Sequence, residues 1–312
     1  MFEQTIRTIQ QFGLTWDFRD KETSELTEPL SRFERLALAL GRISNERPLV
    51  KRLGMQFTKM VTYNWVYRAI GPRVYVEGIE RLAAMNPDRG VVVVANHRSF
   101  FDMYSLMLSF YGIGGTWVER FYFPVRANFF YEHPLGVALN FSVGAGAMYP
   151  PIYRDTSRSA LNKDAIDRVC RLLRQPGTLV GLHPEGTRGK GPDPYHLLPA
   201  QPGVGQIVLQ AKPIVVPFFV NGLPNDARSG IVDTYRKDAR RNHPIIIVIG
   251  DDLDYSEFTT KKPRVALYKH CADKMNQTIL QLGEREREIR DACARGDVSD
   301  DDCNWLSEKV KK

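Results

Sequence analysis

Five short strand-like runs, most of them apolar, limit the folds open to this chain. They lie at residues 73–78, 90–95, 178–182, 213–220 and 244–249. Val91-Val92-Val93-Val94 and Ile245-Ile246-Ile247-Val248-Ile249 contain no polar side chain to turn toward water. A strand of this kind must be covered on both faces, as the inner strands of parallel sheets are. Helical patterns separate the runs, at 102–110, 160–173 and 203–210, and a further helix is expected over 263–290. This alternation predicts one α/β domain with a central, largely parallel or mixed sheet flanked by helices. With 312 residues, 43% of them hydrophobic, the chain can fill a core of that size.

Outside the alternation the character changes. Residues 1–72 read as an N-terminal helical extension, with a polar loop at 20–29 and an amphipathic helix at 32–42. Residues 73–290 form the main domain. Residues 291–312 read as a polar, frayed tail. The stretch 51–76 contains Lys51, Arg52, Lys59, Arg68 and Arg73 and no acid. At helical spacing Leu53, Phe57, Met60, Val61 and Trp65 share one face, and Tyr63, Val66 and Ile70 share the other. A basic aromatic helix suits a membrane interface, where Trp and Tyr settle at headgroup level and cations meet anionic lipid. It equally suits a helix packed on the domain with a solvated basic rim.

The net charge of +7 and pI of about 9.2 favour an anionic partner. Nucleic acid is not expected, since no helix-turn-helix, zinc-finger or RNP-like pattern occurs. The four cysteines, Cys170, Cys271, Cys293 and Cys303, form no C-x-x-C pair and read as free thiols. The first twenty residues mix charges early and have no apolar h-region of a secretory signal. No stretch reaches about 18 uncharged apolar residues, so no spanning helix is expected. A membrane, if met, is met from its surface, on the cytoplasmic side.

Two segments carry chemistry. Asn96-His97-Arg98-Ser99-Phe100-Phe101-Asp102 follows the run at 90–95, and active-site groups gather at the carboxyl ends of such strands. A neutral imidazole can take a proton from a hydroxyl, and a carboxylate on its other nitrogen fixes the tautomer. On one helix, positions five apart point about 140° apart. His97 and Asp102 therefore pair only if His97 lies on the turn before a helix and Asp102 in its first turn, a placement that Ser99 as N-cap would produce. Ser99 and Asp102 also fit a simple capping box. The second segment is His183-Pro184-Glu185-Gly186-Thr187-Arg188. Pro184 stops the strand, Gly186 allows a tight open turn, and Arg188 offers a planar fork suited to phosphate. A surface turn with a Glu–Arg pair is the plain alternative.

Together these segments resemble the H-x4-D and P-E-G-T-R blocks of the glycerolipid acyltransferase family, that of bacterial 1-acylglycerol-3-phosphate (lysophosphatidic acid) acyltransferase. Ile152-Tyr153-Arg154 resembles the family's arginine segment between them, and Ile214-Val215-Val216-Pro217 its downstream apolar-proline block. Val76-Glu77-Gly78 lies where the family's domain commonly begins. The likeness extends over about residues 73–255. It implies acyl transfer from acyl-CoA or acyl carrier protein, as co-substrate, to a lipid hydroxyl. His97 is then the base and Asp102 its orienting partner, while Arg154, Glu185, Gly186, Thr187 and Arg188 bind the acceptor phosphate. Neither a metal nor a further cofactor is implied. The acceptor expected first is 1-acylglycerol 3-phosphate; glycerol 3-phosphate, another lysolipid or an aminoacyl lipid are alternatives. A thioester hydrolase and a non-catalytic lipid-binding protein are the competing classes. His183 departs from the family's usual aromatic or aliphatic residue, and two prolines precede Ile152.

The aromatic run at 121–149 is open to two readings. Phe121, Phe123, Phe129 and Phe130 flank Arg126, and small residues such as Gly144 and Gly146 allow close approach. The run could line an acyl groove, each buried methylene contributing about 0.8 kcal/mol, or be ordinary core. Arg126 is expected to face phosphate or a lipid headgroup, with Phe129 and Phe130 beside it.

Overall fold

The five strand-like runs become strands of a single sheet. In the computed structural model, residues 30–223 and 227–311 are described. The strands in chain order are β1 (Val74–Glu77), β2 (Val91–Ala95), β3 (Arg120–Tyr122), β4 (Val125–Arg126), β5 (Pro151–Ile152), β6 (Thr178–Leu182), β7 (Ile214–Asn221) and β8 (Ile245–Ile249). The main sheet runs β1-β8-β7-β2-β6-β3. Its pairs are parallel except β7–β8. This is the mixed α/β architecture expected. β2 sits between β6 and β7, with Val91 opposite both Leu179 and Ile214. Every β2 side chain is buried, as a strand of four valines and an alanine requires.

Residues 120–126 and 151–152 hold three strands not anticipated from sequence. They are two or three residues long, too short for a period to register. β3 closes one edge of the main sheet, while β4 and β5 form a separate pair in which Arg126 lies opposite Ile152. Phe121, Phe123 and Phe130 are core residues.

Helices cover both faces. In chain order the principal ones are α1 (Arg32–Glu46), α2 (Pro48–Phe57), α3 (Tyr63–Ile70), α4 (Asp102–Gly112), α5 (Pro134–Gly144), α6 (Ser159–Leu172), α7 (Pro202–Ala211), α8 (Val265–Arg295) and α9 (Leu306–Val310). α8 buries Leu267, Cys271, Met275 and Ile279 at helical spacing against the sheet. Its contact with α7 depends on Gly205, where a Cβ would stand 1.9 Å from the Tyr268 carbonyl oxygen.

Residues 296–311 pack on the domain, contrary to the frayed tail read from their polarity. β1 is an edge strand, and its Val76 N–H donates to the Asn304 carbonyl at 2.8 Å. Trp305 is 1% exposed, edge-on to Tyr75 and beneath the Arg240 guanidinium. One buried tryptophan and the need to cover an exposed strand edge outweigh the surrounding charge.

Near the other end, Ser31 and Glu34 form a capping box that starts α1. α2 continues through a π turn at Thr58–Thr62 into α3. Val66 and Ile70 face the core, whereas Leu53 and Met60 are 61% and 70% exposed, with Phe57, Val61 and Trp65 on the same outer side. Thr62 donates to the Val143 carbonyl and so ties this turn to α5, where Leu135 and Leu139 are also exposed. Lys51 and Arg73 do not belong to the solvated basic rim. Lys51 is buried, donating to the Asn45 side chain and the Phe121 carbonyl, and burial pushes it down to about 7. Arg73 is buried beside Thr234 and the His243 carbonyl. Among the described residues no helix is long and apolar enough to cross a membrane.

Candidate active site

The loop after β2 is built around the Asp102 carboxylate. Asp102 is 1% exposed and opens α4. Its Oδ2 accepts from the Arg98 N–H at 2.9 Å and the Ser99 N–H at 3.0 Å, and lies 3.0 Å from His97 Nδ1. Ser99 does not cap the helix as expected. Phe101 is the N-cap residue without a side-chain bond, and the Ser99 hydroxyl accepts from the Phe101 N–H instead. The carboxylate instead takes the N–H groups of Arg98 and Ser99, which precede the helix, and its charge strengthens both bonds. His97 and Asp102 still face each other as required, one on the turn and one in the first helical turn.

The strand end is fixed as well. The Asn96 side chain exchanges two hydrogen bonds with the Val220 backbone, at 2.8 and 2.9 Å, extending the β2–β7 ladder by one side-chain rung.

The loop after β6 holds His97 at three points. Glu185, 2% exposed, accepts from the His97 N–H at 2.8 Å with Oε1 and from the Leu198 N–H at 2.7 Å with Oε2. The Gly189 N–H donates to the His97 carbonyl at 2.8 Å. The His183 ring stacks on the His97 ring, with centroids 3.9 Å apart and planes 12° apart. Gly186 makes the turn possible at φ +62°. The Glu185 carboxylate thus engages main-chain N–H groups and positions the histidine; burial raises its pKa.

The tautomers follow from these partners. An ionised Asp102 accepts from His97 Nδ1, which leaves the Nε2 lone pair outward. His183 Nδ1 lies 3.2 and 2.9 Å from the Ala95 and Asn96 carbonyls, which only accept, so it carries the proton. Burial, then the Arg188 and Arg126 guanidinium groups, push His97 down to about 3. Burial and the neighbouring His97 do the same to His183, which also falls to about 3. Burial raises Asp102 to about 6 against the opposing His183 and N–H contacts. At neutral pH both rings are neutral and Asp102 is ionised. Ligand atoms of His97, Asp102 and His183 come within 4.8 Å of one another, a cluster able to hold a cation. Both Nδ1 atoms already have partners within the protein.

Cations gather on the β6 side of this loop. Arg126 donates through Nε and Nη2 to the Gly186 carbonyl, at 3.2 and 2.9 Å. The β4–β5 pairing sets Arg126 opposite Ile152, two residues before the exposed Arg154. Burial, then the charges of Arg154 and Arg188, lower the Arg126 pKa. The Arg188 guanidinium lies 3.7 Å from the Phe100 ring centroid. Phe100 in turn meets Phe129 and Phe130 at 6.1 and 6.2 Å. Arg126 thus contacts the Gly186 carbonyl and lies within the electrostatic reach of Arg154 and Arg188, and Arg188 packs on an aromatic wall. Thr187 is half-buried on the same turn.

Sequence reasoning did not anticipate Phe100, the Asn96 clamp or the backbone role of Glu185. Only Phe100 left a signal, a large aromatic beside a motif histidine. His183 stood out as an unusual titratable neighbour, but its stacking depends on β2 and β6 being adjacent.

Residues 73–221 match the family model described as Acyltransferase. The matched segment spans β1 through β7 and contains both loops. No curated protein matches the chain. The match supports a transferase that moves acyl groups.

Proposed function

We propose that the protein transfers a fatty acyl group from an acyl thioester, acyl-CoA or acyl carrier protein, to the hydroxyl of 1-acylglycerol 3-phosphate, giving phosphatidic acid. One observation carries this reading: a neutral histidine held by a buried carboxylate, with the Arg188 and Arg126 guanidinium groups beside it. In the proposed step His97 Nε2 takes the acceptor's hydroxyl proton as the oxygen attacks the thioester carbon. Asp102 stabilises the imidazolium that forms. The C–S bond then breaks, and the thiolate leaves with the proton from Nε2, yielding ester and free thiol. No covalent enzyme intermediate is required.

Arg126, Arg154 and Arg188 hold the acceptor phosphate. Bidentate guanidinium–phosphate contacts fix its orientation, which sets the hydroxyl for attack. Binding and basicity are then coupled. Arg126 and Arg188 depress His97 in the free protein, and a phosphate dianion seated on them offsets that field. The acceptor thereby raises the basicity of the group that deprotonates it. The Phe100–Phe129–Phe130 wall flanks the site for an acyl chain and excludes water, which favours transfer over hydrolysis.

The exposed stripe of Leu53, Phe57, Met60 and Trp65, with Leu135 and Leu139 on α5 and the cations Arg52, Lys59 and Arg68 near it, docks the protein on an anionic membrane surface. The acceptor is thus drawn from the bilayer in which its chain resides. Purified protein incubated with acyl-CoA or acyl carrier protein and a panel of glycerol 3-phosphate and lysophospholipids, with products identified by mass spectrometry, tests the reading. Phosphatidic acid is the expected product, absent with His97→Ala. Full transfer by His97→Ala would overturn the mechanism.

A further inference from the structure

A basic recess opens at the amino ends of β3 and β6, the opposite end of these parallel strands from the His97 loop. Its volume is about 760 Å³, and volumes of about 300–1,000 Å³ are usual for small-molecule sites. The lining comes from α1 and α2, the end of α6 and the start of β3. It carries Lys51, Arg52, Lys59, Arg120, Arg168 and Arg171 against two carboxylates, Glu46 and Glu119. Both carboxylates are engaged. Glu46 meets Arg168 and the Tyr149 hydroxyl, and Glu119 pairs with Arg120 at 3.2 Å. Arg168 also pairs with Asp164 at 2.6 Å. The cations in excess of these pairs are Lys51, Arg52, Lys59 and Arg171.

Lys51 is the informative one. It is 4% exposed on the wall of the recess. Its Nζ donates to Asn45 Oδ1 at 2.8 Å and to the Phe121 carbonyl at 2.5 Å, and stands 4.0 Å from the Tyr122 ring centroid. All three partners are neutral. Among the described residues the charge that bears on it is that of Arg120, of like sign, which adds to burial in holding it down at about 7. The Phe121 carbonyl belongs to edge strand β3, and an amide donor would cap it equally well. An ammonium at this place loses hydration without a counter-charge, and an anion in the recess offsets that loss.

The same helical segment carries the exposed apolar stripe. Lys51, Arg52, Met55, Gln56 and Lys59 line the recess. Leu49, Leu53 and Met60, on the adjoining face, are 70%, 61% and 70% exposed. Arg52 and Leu53 meet at the border between the two faces. An anion seated among the cations therefore has apolar side chains beside it, which is the arrangement of a phospholipid, charged at its head and apolar along its chains.

We propose that this recess holds the phosphate headgroup of an anionic membrane phospholipid, at a site separate from the catalytic one, with Lys51, Arg52 and Arg171 as contacts and the Leu53–Met60 stripe beside the lipid chains. The proposal rests on the membrane-docking part of the reading above. It makes docking specific for a headgroup rather than for surface charge alone, because the phosphate is held by a buried ammonium as well as by exposed guanidinium groups.

The probe is dihexanoyl phosphatidylglycerol, titrated calorimetrically into the full chain below its micelle concentration. Its phosphodiester does not titrate near neutral pH, and it is neither acceptor nor product of the proposed reaction. Arg52→Gln/Arg171→Gln should weaken binding about tenfold to a hundredfold. Arg52→Lys/Arg171→Lys should retain it, and Arg188→Gln should leave it unchanged. At about pH 8 binding should take up protons as the anion restores the Lys51 charge, read from the difference in heat between two buffers, and Lys51→Met should abolish that uptake. Equal binding by the glutamine pair, or binding lost in Arg188→Gln alone, would overturn the proposal. Inorganic phosphate bound as tightly as the lipid would overturn the lipid assignment. Failure of the docking reading would show separately, as unchanged vesicle sedimentation of Leu53→Ser/Met60→Ser, while the soluble lipid would still decide the recess.

Discussion

Asp102→Asn isolates what the carboxylate does from what it merely fills. Asn is nearly the same size, so the buried site stays occupied. Its single carbonyl oxygen can still accept from the Arg98 or Ser99 N–H groups, which now lie 2.9 and 3.0 Å from Oδ2. The amide nitrogen then faces His97 Nδ1, at the position where an acceptor now stands 3.0 Å away. Two donors cannot share that contact, so the imidazole must move its proton to Nε2. The nitrogen meant to take the acceptor's proton becomes a donor, and the imidazolium of the transition state loses its counter-charge. A base held in the wrong tautomer loses about 10³- to 10⁴-fold in kcat, equivalent to about 4–5 kcal/mol of transition-state stabilisation. Acceptor KM should change little, because the arginines that hold the phosphate are untouched. The assay follows thiol release at saturating acceptor, with thermal unfolding as a check on the fold. Combining Asp102→Asn with His97→Ala should cost no more than His97→Ala alone, since the two residues act as one unit. A kcat within tenfold of the unaltered protein would refute the pairing as a catalytic device.

Other consequences can be measured. Arg188→Gln should raise acceptor KM about tenfold or more through the lost charged contact and, by removing a depressing cation, raise the His97 pKa in the free protein, as imidazole NMR would record. Stability should fall as pH drops below about 6.5, because the unfolded chain protonates two histidines that the fold keeps neutral down to about 3. Each contributes roughly 1.4 kcal/mol per pH unit. Asp102, raised to about 6, binds its proton earlier in the folded state and cancels about one of the two below that pH, so denaturant unfolding should record a net loss of roughly 1.4 kcal/mol per pH unit from about pH 6 down to about pH 4. Leu53→Ser with Met60→Ser should reduce sedimentation with anionic vesicles while leaving turnover of a short-chain soluble acceptor intact. Trp305→Ala should destabilise by about 3–5 kcal/mol, measured by chemical denaturation, because the chain end that covers β1 is anchored on it.

Much of the fold and part of the site lay in local sequence. Runs such as Val91–Ala95 and Ile245–Ile249 can only be inner strands, since no residue in them tolerates water on either face, and the helical segments between them then make an α/β sheet. The spacing of His97 and Asp102 is equally local, since a turn followed by a helix brings them together whatever else the chain does. What depends on distant segments was not legible. The Glu185 carboxylate turns inward, the His183 ring stacks on His97, and Arg126 reaches Gly186 because β6 lies against β2 and β4 pairs with β5. These strands are separated by dozens of residues, or are too short to show a period. Trp305 likewise becomes core only once β1 presents an open edge to cover. Sequence alone determined which residues could form a base and an anion site, because those are properties of residue type and short spacing. Tertiary structure decided their division of labour, because a carboxylate or guanidinium acts according to what the sheet places opposite it.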